Sequence, residues 1–155
     1  MENYAELLET LTQQEKDLQF TAFSSDTALA LGLKIVELAR AREKAITVNI
    51  TINGKVLFHH AMQGASADQA DWIRRKNNVV ARFGRCSFYV GIDHKQRGVS
   101  FEDIKYLPPV DYAANGGAFP IAIKNTGIIG TVTVSGLRQA EDHALAIEAL
   151  RAVLA

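Results

Sequence analysis

The sequence predicts an α/β domain built on an antiparallel sheet of about five strands, with helices packed against that sheet. Two hairpins separated by helical segments lead to this prediction, because a parallel sheet would need a crossover between successive strands. The chain has 155 residues, which is the size of one domain. We therefore expect residues 1–155 to form a single domain, in which residues 1–16 add an extra amphipathic helix.

The first third of the chain alternates helix and strand signals. Apolar side chains recur with helical spacing at the amino terminus, at Tyr4, Leu7, Leu8 and Leu11. Residues 18–23 are typical of a short strand. Ser24, Ser25 and Asp26 then offer side-chain oxygens to the free amides of a helix start, which predicts a helix over residues 27–42.

A β-hairpin is the clearest local pattern. Isoleucine and valine alternate with threonine and asparagine over residues 46–52, and Asn53-Gly54 supplies a two-residue turn. That loop length predicts three facing pairs, Ile52 with Lys55, Ile50 with Leu57 and Val48 with His59. His59 would then join the aliphatic face of the sheet, and His60 would lie opposite Thr47 on the polar face.

The remaining two-thirds predict helices around a second hairpin. Ser66 and Gln69 have the spacing of a capping box, which predicts a helix over residues 67–83. A second helix or turn begins near Ser87, and residues 94–114 are expected to form a long connection. Strands over residues 119–124 and 128–135 form the second hairpin, and a helix over residues 137–154 closes the chain.

Composition limits the partners and the compartment. The 17 basic and 17 acidic side chains cancel, so neither nucleic acid nor a membrane surface is an expected partner. Cys86 is the one cysteine, and the amino terminus lacks the pattern of a signal peptide. We therefore expect a cytoplasmic protein. A hydrophobic content of 48% in so small a domain also predicts a homo-oligomer.

Lys76 is the most informative single residue. It shares a helical row with Trp72, Val79 and Phe83, where its ammonium would be buried unless an anion or a carboxylate meets it. The alternative is that the alkyl stem packs on the core while the ammonium reaches water. Arg75 on the same helix could serve an anionic ligand or be solvated.

Two glycine elements and one histidine are further candidates. Gly116-Gly117 before Phe119 indicates either a loop that faces a ligand or a tight turn. Ser135-Gly136 places amides at the start of the last helix, where they could hold an anion or simply cap the helix. His143 follows in the first turns of that helix, and the helix dipole favours its neutral form.

Metal and covalent chemistry have little support in the sequence. The histidines show no helical metal pair, and no Cys-x-x-Cys-His element for covalent haem attachment occurs. Cys86 next to Arg85 could be reactive, but a buried structural role is the favoured interpretation. No metal site is predicted.

Three elements of the carboxyl-terminal third carry a family resemblance: residues 116–121 (GGAFPI), residues 130–137 (GTVTVSGL) and Glu141-Asp142-His143. They resemble the haem-degrading domain family, which includes HbpS, GlcG and the carboxyl-terminal domain of PduO. The likeness is greater to its UPF branch, whose members share a row like residues 72–76 (WIRRK). The resemblance implies a profilin-like fold with helices on both faces of the sheet, a symmetric homo-oligomer and haem as a candidate ligand.

We therefore expect a homo-oligomeric protein that binds a small anionic or planar ligand, with haem as one candidate and no cofactor certain. The alternatives are an enzyme that degrades haem or another metabolite, and a non-catalytic assembly protein. The predicted ligand-binding residues are Trp72, Arg75, Lys76, Gly116, Gly117, Phe119, Ser135, Gly136 and His143.

Overall fold

The computed structural model describes residues 3–155. Its helices are α1 (Tyr4–Asp17), α2 (Ser25–Ala41), α3 (Asp68–Phe83), α4 (Ser87–Gln96) and α5 (Gln139–Leu154), with a short 3₁₀ helix over Phe101–Asp103. Its strands are β1 (Thr47–Ile52), β2 (Lys55–Ala61), β3 (Ala118–Ile123) and β4 (Gly127–Ser135). No helix within residues 3–155 is long and apolar enough to cross a membrane.

The four strands form one antiparallel sheet in the order β2-β1-β4-β3. The predicted mixed α/β class is confirmed, but the sheet has four strands rather than five. The predicted strand over residues 18–23 is reduced to one parallel bridge between Phe20 and Ile123. Phe20 is joined to β3 by two backbone hydrogen bonds, from its own amide to the Ala122 carbonyl oxygen over 2.9 Å and from the Lys124 amide to its carbonyl oxygen over 2.8 Å.

Helices cover both faces of the sheet, as the resemblance implied. One face is aliphatic: Val48, Ile50, Val132 and Val134 are fully buried against α2 and α5. The other face is polar and lies under α3. There the Thr47 hydroxyl donates to Gln69 Oε1 over 2.8 Å, and the Thr133 hydroxyl donates to Asn77 Oδ1.

The register of the first hairpin differs from the prediction. Ile52 faces Lys55 as expected, but Ile50 faces Phe58, because a β-bulge adds one residue to β2 before that point. The bulge moves His59 opposite Asn49, whose Nδ2 lies 3.0 Å from His59 Nδ1, and moves His60 opposite Val48. The predicted faces of the two histidines were therefore wrong.

The helix starts also depart from the predictions in part. Ser24 caps α2 as predicted, in a capping box with Thr27. The capping box predicted at Ser66 is absent, because Ala67 precedes the helix and the Gln69 side chain accepts from the sheet instead. At the amino terminus, Glu15 fastens α1 to the start of α4 by accepting from Arg85 Nε over 2.7 Å and from the Cys86 amide over 2.6 Å.

Candidate functional site

Lys76 lies inside the protein, on the face of α3 that covers the sheet. Its side chain is 3% exposed, and its Nζ lies 3.2 Å from Asp142 Oδ2 and 3.1 Å from the Val134 carbonyl oxygen. The ammonium is therefore met by a carboxylate of the same chain. The alternative in which the ammonium reaches water was wrong, because α5 closes over the end of the side chain.

Asp142 supplies the carboxylate that was one of the two alternatives left open for Lys76. Its other oxygen accepts from the Leu137 amide over 2.9 Å at the start of α5. Burial raises the pKa of Asp142 to about 6, although Lys76 and the backbone amides oppose this rise. Burial likewise lowers the pKa of Lys76 against the attraction of Asp142. Desolvation thus outweighs the mutual attraction of the pair.

The Gly116-Gly117 element packs directly against this ion pair. Gly117 has a φ of +139°, and a Cβ at that position would lie 2.3 Å from the Val134 carbonyl oxygen and 2.7 Å from Lys76 Nζ. A Cβ on Gly116 would lie 2.3 Å from the Gln139 carbonyl oxygen. The two glycines are needed because the strand must pass close to both α3 and α5.

A cavity of about 250 Å³ opens beside the ion pair. Four of the predicted ligand-binding residues line it, namely Trp72, Lys76, Ser135 and Gly136. The other lining residues are Asp68, Gln69, Asn115, Leu137, Gln139 and Asp142. With the lysine charge already neutralised, Asp68 leaves the cavity wall with an excess negative charge, and the amide side chains supply most of its hydrogen-bonding groups.

The other predicted residues lie outside this cavity. Arg75 packs its guanidinium over the Trp72 ring, 4.7 Å from the ring centroid, and donates to the Pro109 carbonyl oxygen. Phe119 is a core side chain that is 1% exposed. His143 is buried, which lowers its pKa to about 4, and its Nε2 lies 2.7 Å from Gln14 Oε1 of α1. Its predicted neutral form follows from this burial.

A second polar group points towards a cavity at the carboxyl end of α4. His94 is 7% exposed, and its Nδ1 lies 2.8 Å from the Val90 carbonyl oxygen. Because a carbonyl only accepts, Nδ1 carries a hydrogen, and because a guanidinium only donates, the Arg97 Nη2 that lies 3.3 Å from Nε2 meets the lone pair of that nitrogen. Phe101 and Phe83 hold the ring edge to face, with centroids 5.2 and 6.4 Å away.

His94 separates two cavities of about 160 and 540 Å³. The larger is lined by Phe83, His94, Arg97, Gly98, Val99, Ser100, Asp103, Ile104 and Tyr106. The lining residue Tyr106 also meets Arg82, whose guanidinium lies 5.4 Å from the ring centroid. Sequence analysis considered His94 only as one of four histidines and did not predict this cavity. Most of the cavity wall comes from the long connection within residues 94–114, for which hydrophobic periodicity predicted no defined structure.

These features define a mixed α/β protein with two buried polar centres, an ion pair between α3 and α5 and a histidine at the end of α4. The chain belongs to the family described as haem-degrading protein HbpS-like, which matches residues 23–151. The resemblance drawn from the sequence is thus confirmed. A UPF0303 protein of Streptomyces coelicolor is 46% identical over 140 residues, covering 90% of this chain and 89% of the relative.

Solved structures share the fold. The crystal structure of the Ybr137w protein superimposes with a TM-score of 0.87 at 32% identity, covering 94% of this chain and 87% of that one. The PduOC:haem complex superimposes with a TM-score of 0.72 at 19% identity, covering 84% of this chain and 94% of that one. At that identity the second likeness concerns the fold alone.

Proposed function

We propose that this protein binds haem reversibly and without a covalent bond, in the cavity of about 540 Å³ beside His94. The family description and the haem in the PduOC complex supply the ligand class. The observation that carries the proposal is the cavity itself, whose volume lies within the range of about 300–1,000 Å³ that is usual for small-molecule sites. His94, whose Nδ1 donates to a backbone carbonyl, is among the residues that line it.

The walls of this cavity suit a planar, partly anionic ligand. Phe83, Ile104 and Tyr106 offer apolar and aromatic surface, and Arg97 adds a guanidinium group to the lining. Guanidinium groups pair well with carboxylates such as those of a porphyrin. Non-covalent binding fits the single cysteine, because Cys86 is fully buried and burial raises the pKa of its thiol.

A pair of tryptophan substitutions tests this location. Val99 is 48% exposed and lines the cavity, so Val99→Trp should fill it and weaken haem binding by at least about tenfold. Val56 is 56% exposed on the edge strand β2, and Val56→Trp serves as the matched control that should leave affinity unchanged. Titration of both variants with ferric haem, followed by absorbance, gives the affinities. Equal affinities, or no saturable binding by the natural protein, would contradict the proposal.

We further propose that the protein is a cytoplasmic homo-oligomer of single-domain subunits. Leu29 and Leu33 are 49% and 53% exposed one turn apart on α2, next to the edge strand β2. An apolar patch beside an unpaired strand edge is typical of a subunit contact. Light scattering should give a multiple of the 17.0 kDa chain mass, and Leu33→Glu should lower it. A monomer at micromolar concentration would refute this proposal.

The cavity beside Lys76 is a second candidate site, for a small planar ligand with hydrogen-bonding edges. Trp72, Lys76, Ser135 and Gly136 carry this proposal, because they are the predicted residues that share the cavity. A thermal-shift screen of small planar amides should find a compound that stabilises the natural protein but not Asn115→Ala. Equal shifts in both proteins would exclude binding at this cavity.

A further inference from the structure

We infer that His94 Nε2 is the protein atom that ligates the haem iron, an inference that rests on the proposed haem-binding function. The ring is already arranged as metal-binding histidines usually are, with one nitrogen donating to a backbone carbonyl and the other free to ligate. Here Nδ1 lies 2.8 Å from the Val90 carbonyl oxygen, one helical turn earlier in α4. That hydrogen bond fixes both the tautomer and the direction of Nε2.

The ring of His94 is also held rigidly. Phe83 and Phe101 contact it edge to face from two sides, and these two phenylalanines contact each other at a centroid distance of 5.9 Å. Such packing limits rotation of the imidazole, so that little conformational entropy is lost when Nε2 ligates a metal.

One exposed side chain, that of Arg97, meets Nε2 of His94. Arg97 Nη2 lies 3.3 Å from His94 Nε2 and also pairs with Asp93 over 3.0 Å, while its side chain is 55% exposed. An ion pair so exposed contributes little free energy. Arg97 can therefore turn away from the ring at small cost, and in doing so it stays at the edge of the same cavity, where a carboxylate of the ligand would meet it.

The other three histidines lack this arrangement. His143 Nε2 is engaged by Gln14, and its ring is enclosed by Phe88 and Phe119. His59 and His60 lie exposed on β2 and line neither cavity beside α4. Among the four, His94 combines an Nε2 lone pair that is met by the exposed Arg97 side chain with a ring that lines a cavity.

The test compares His94→Phe with His60→Phe, using ferric haem and metal-free protoporphyrin as two probes. Phenylalanine preserves the aromatic packing against Phe83 and Phe101, and the metal-free porphyrin reports whether the cavity is intact. We expect the natural protein and His60→Phe to give the absorbance spectrum of histidine-ligated ferric haem. His94→Phe should lose that spectrum and bind ferric haem at least about tenfold more weakly, while its affinity for protoporphyrin stays within about twofold of the natural protein.

Each of the remaining outcomes would contradict a different part of the reasoning. If His94→Phe keeps the histidine-ligated spectrum, the ligand is another residue and the inference is wrong, although haem binding stands. If His94→Phe loses protoporphyrin affinity to the same extent as haem affinity, the ring shapes the cavity and does not ligate iron. If the natural protein binds neither probe, the proposed function fails and the inference fails with it.

Discussion

Replacing Lys76 with methionine should lower the free energy of unfolding by about 3–5 kcal/mol near neutral pH, because it leaves a buried carboxylate without its cation. Both members of the pair are 3% exposed, and their charged atoms lie 3.2 Å apart. Methionine keeps the packing of the alkyl stem, so that the loss reports the charge rather than a cavity.

The loss of stability caused by Lys76→Met should depend on pH. The folded pKa of Asp142, about 6, lies above its ordinary value of 3.8, so its contribution to stability is complete below about pH 4 and is lost as the pH rises through about 6. Without Lys76 the folded pKa rises further, because an attraction that lowered it is gone. The deficit of Lys76→Met should therefore shrink by at least about 1 kcal/mol between pH 8 and pH 5.

Urea unfolding followed by circular dichroism at pH 8 and pH 5 measures both quantities. Arg74→Met is the matched control, since Arg74 lies on the same helix and forms exposed ion pairs with Asp71 and Asp111, which should contribute little to stability. Adding Asp142→Asn to Lys76→Met should restore much of the stability by removing the unpaired charge. A loss for Lys76→Met no greater than that of the control, or one independent of pH, would refute the buried pair.

Two further predictions concern the glycine element and the cysteine. Gly117→Ala should destabilise the protein by at least about 2 kcal/mol, since its Cβ would approach Lys76 Nζ to 2.7 Å. Gly98 also has a positive φ, but a Cβ there would meet no atom within 4 Å, so Gly98→Ala should cost about 1 kcal/mol. Equal losses of stability for the two variants in thermal unfolding would contradict this reasoning. Cys86 should react with a thiol reagent no faster than the protein unfolds, because it is fully buried and burial raises the pKa of its thiol. Fast labelling of Cys86 under native conditions would disprove this prediction.

Much of the fold could be predicted because its signals are local. The Asn53-Gly54 turn adopts positive φ at both residues, 49° and 79°, as a two-residue hairpin turn requires. Ser24 caps α2 through a residue three positions away. The fifth strand predicted over residues 18–23 was wrong because its pairing is not a local property. The single bridge to Ile123 depends on where β3 lies and not on the composition of the segment.

The sequence by itself determined that Lys76 lies on an apolar helical row, where its ammonium either meets an anion or reaches water. Only the tertiary structure decided that the anion is Asp142, which is 66 residues away in the chain and reaches the lysine because α5 crosses the end of β4. In the same way, the bulge in β2 reassigned His59 and His60, and the connection after α4 folded back to enclose His94. Pairings between distant segments are set by the packing of whole elements, whereas periodicity and capping carry information about neighbouring residues alone.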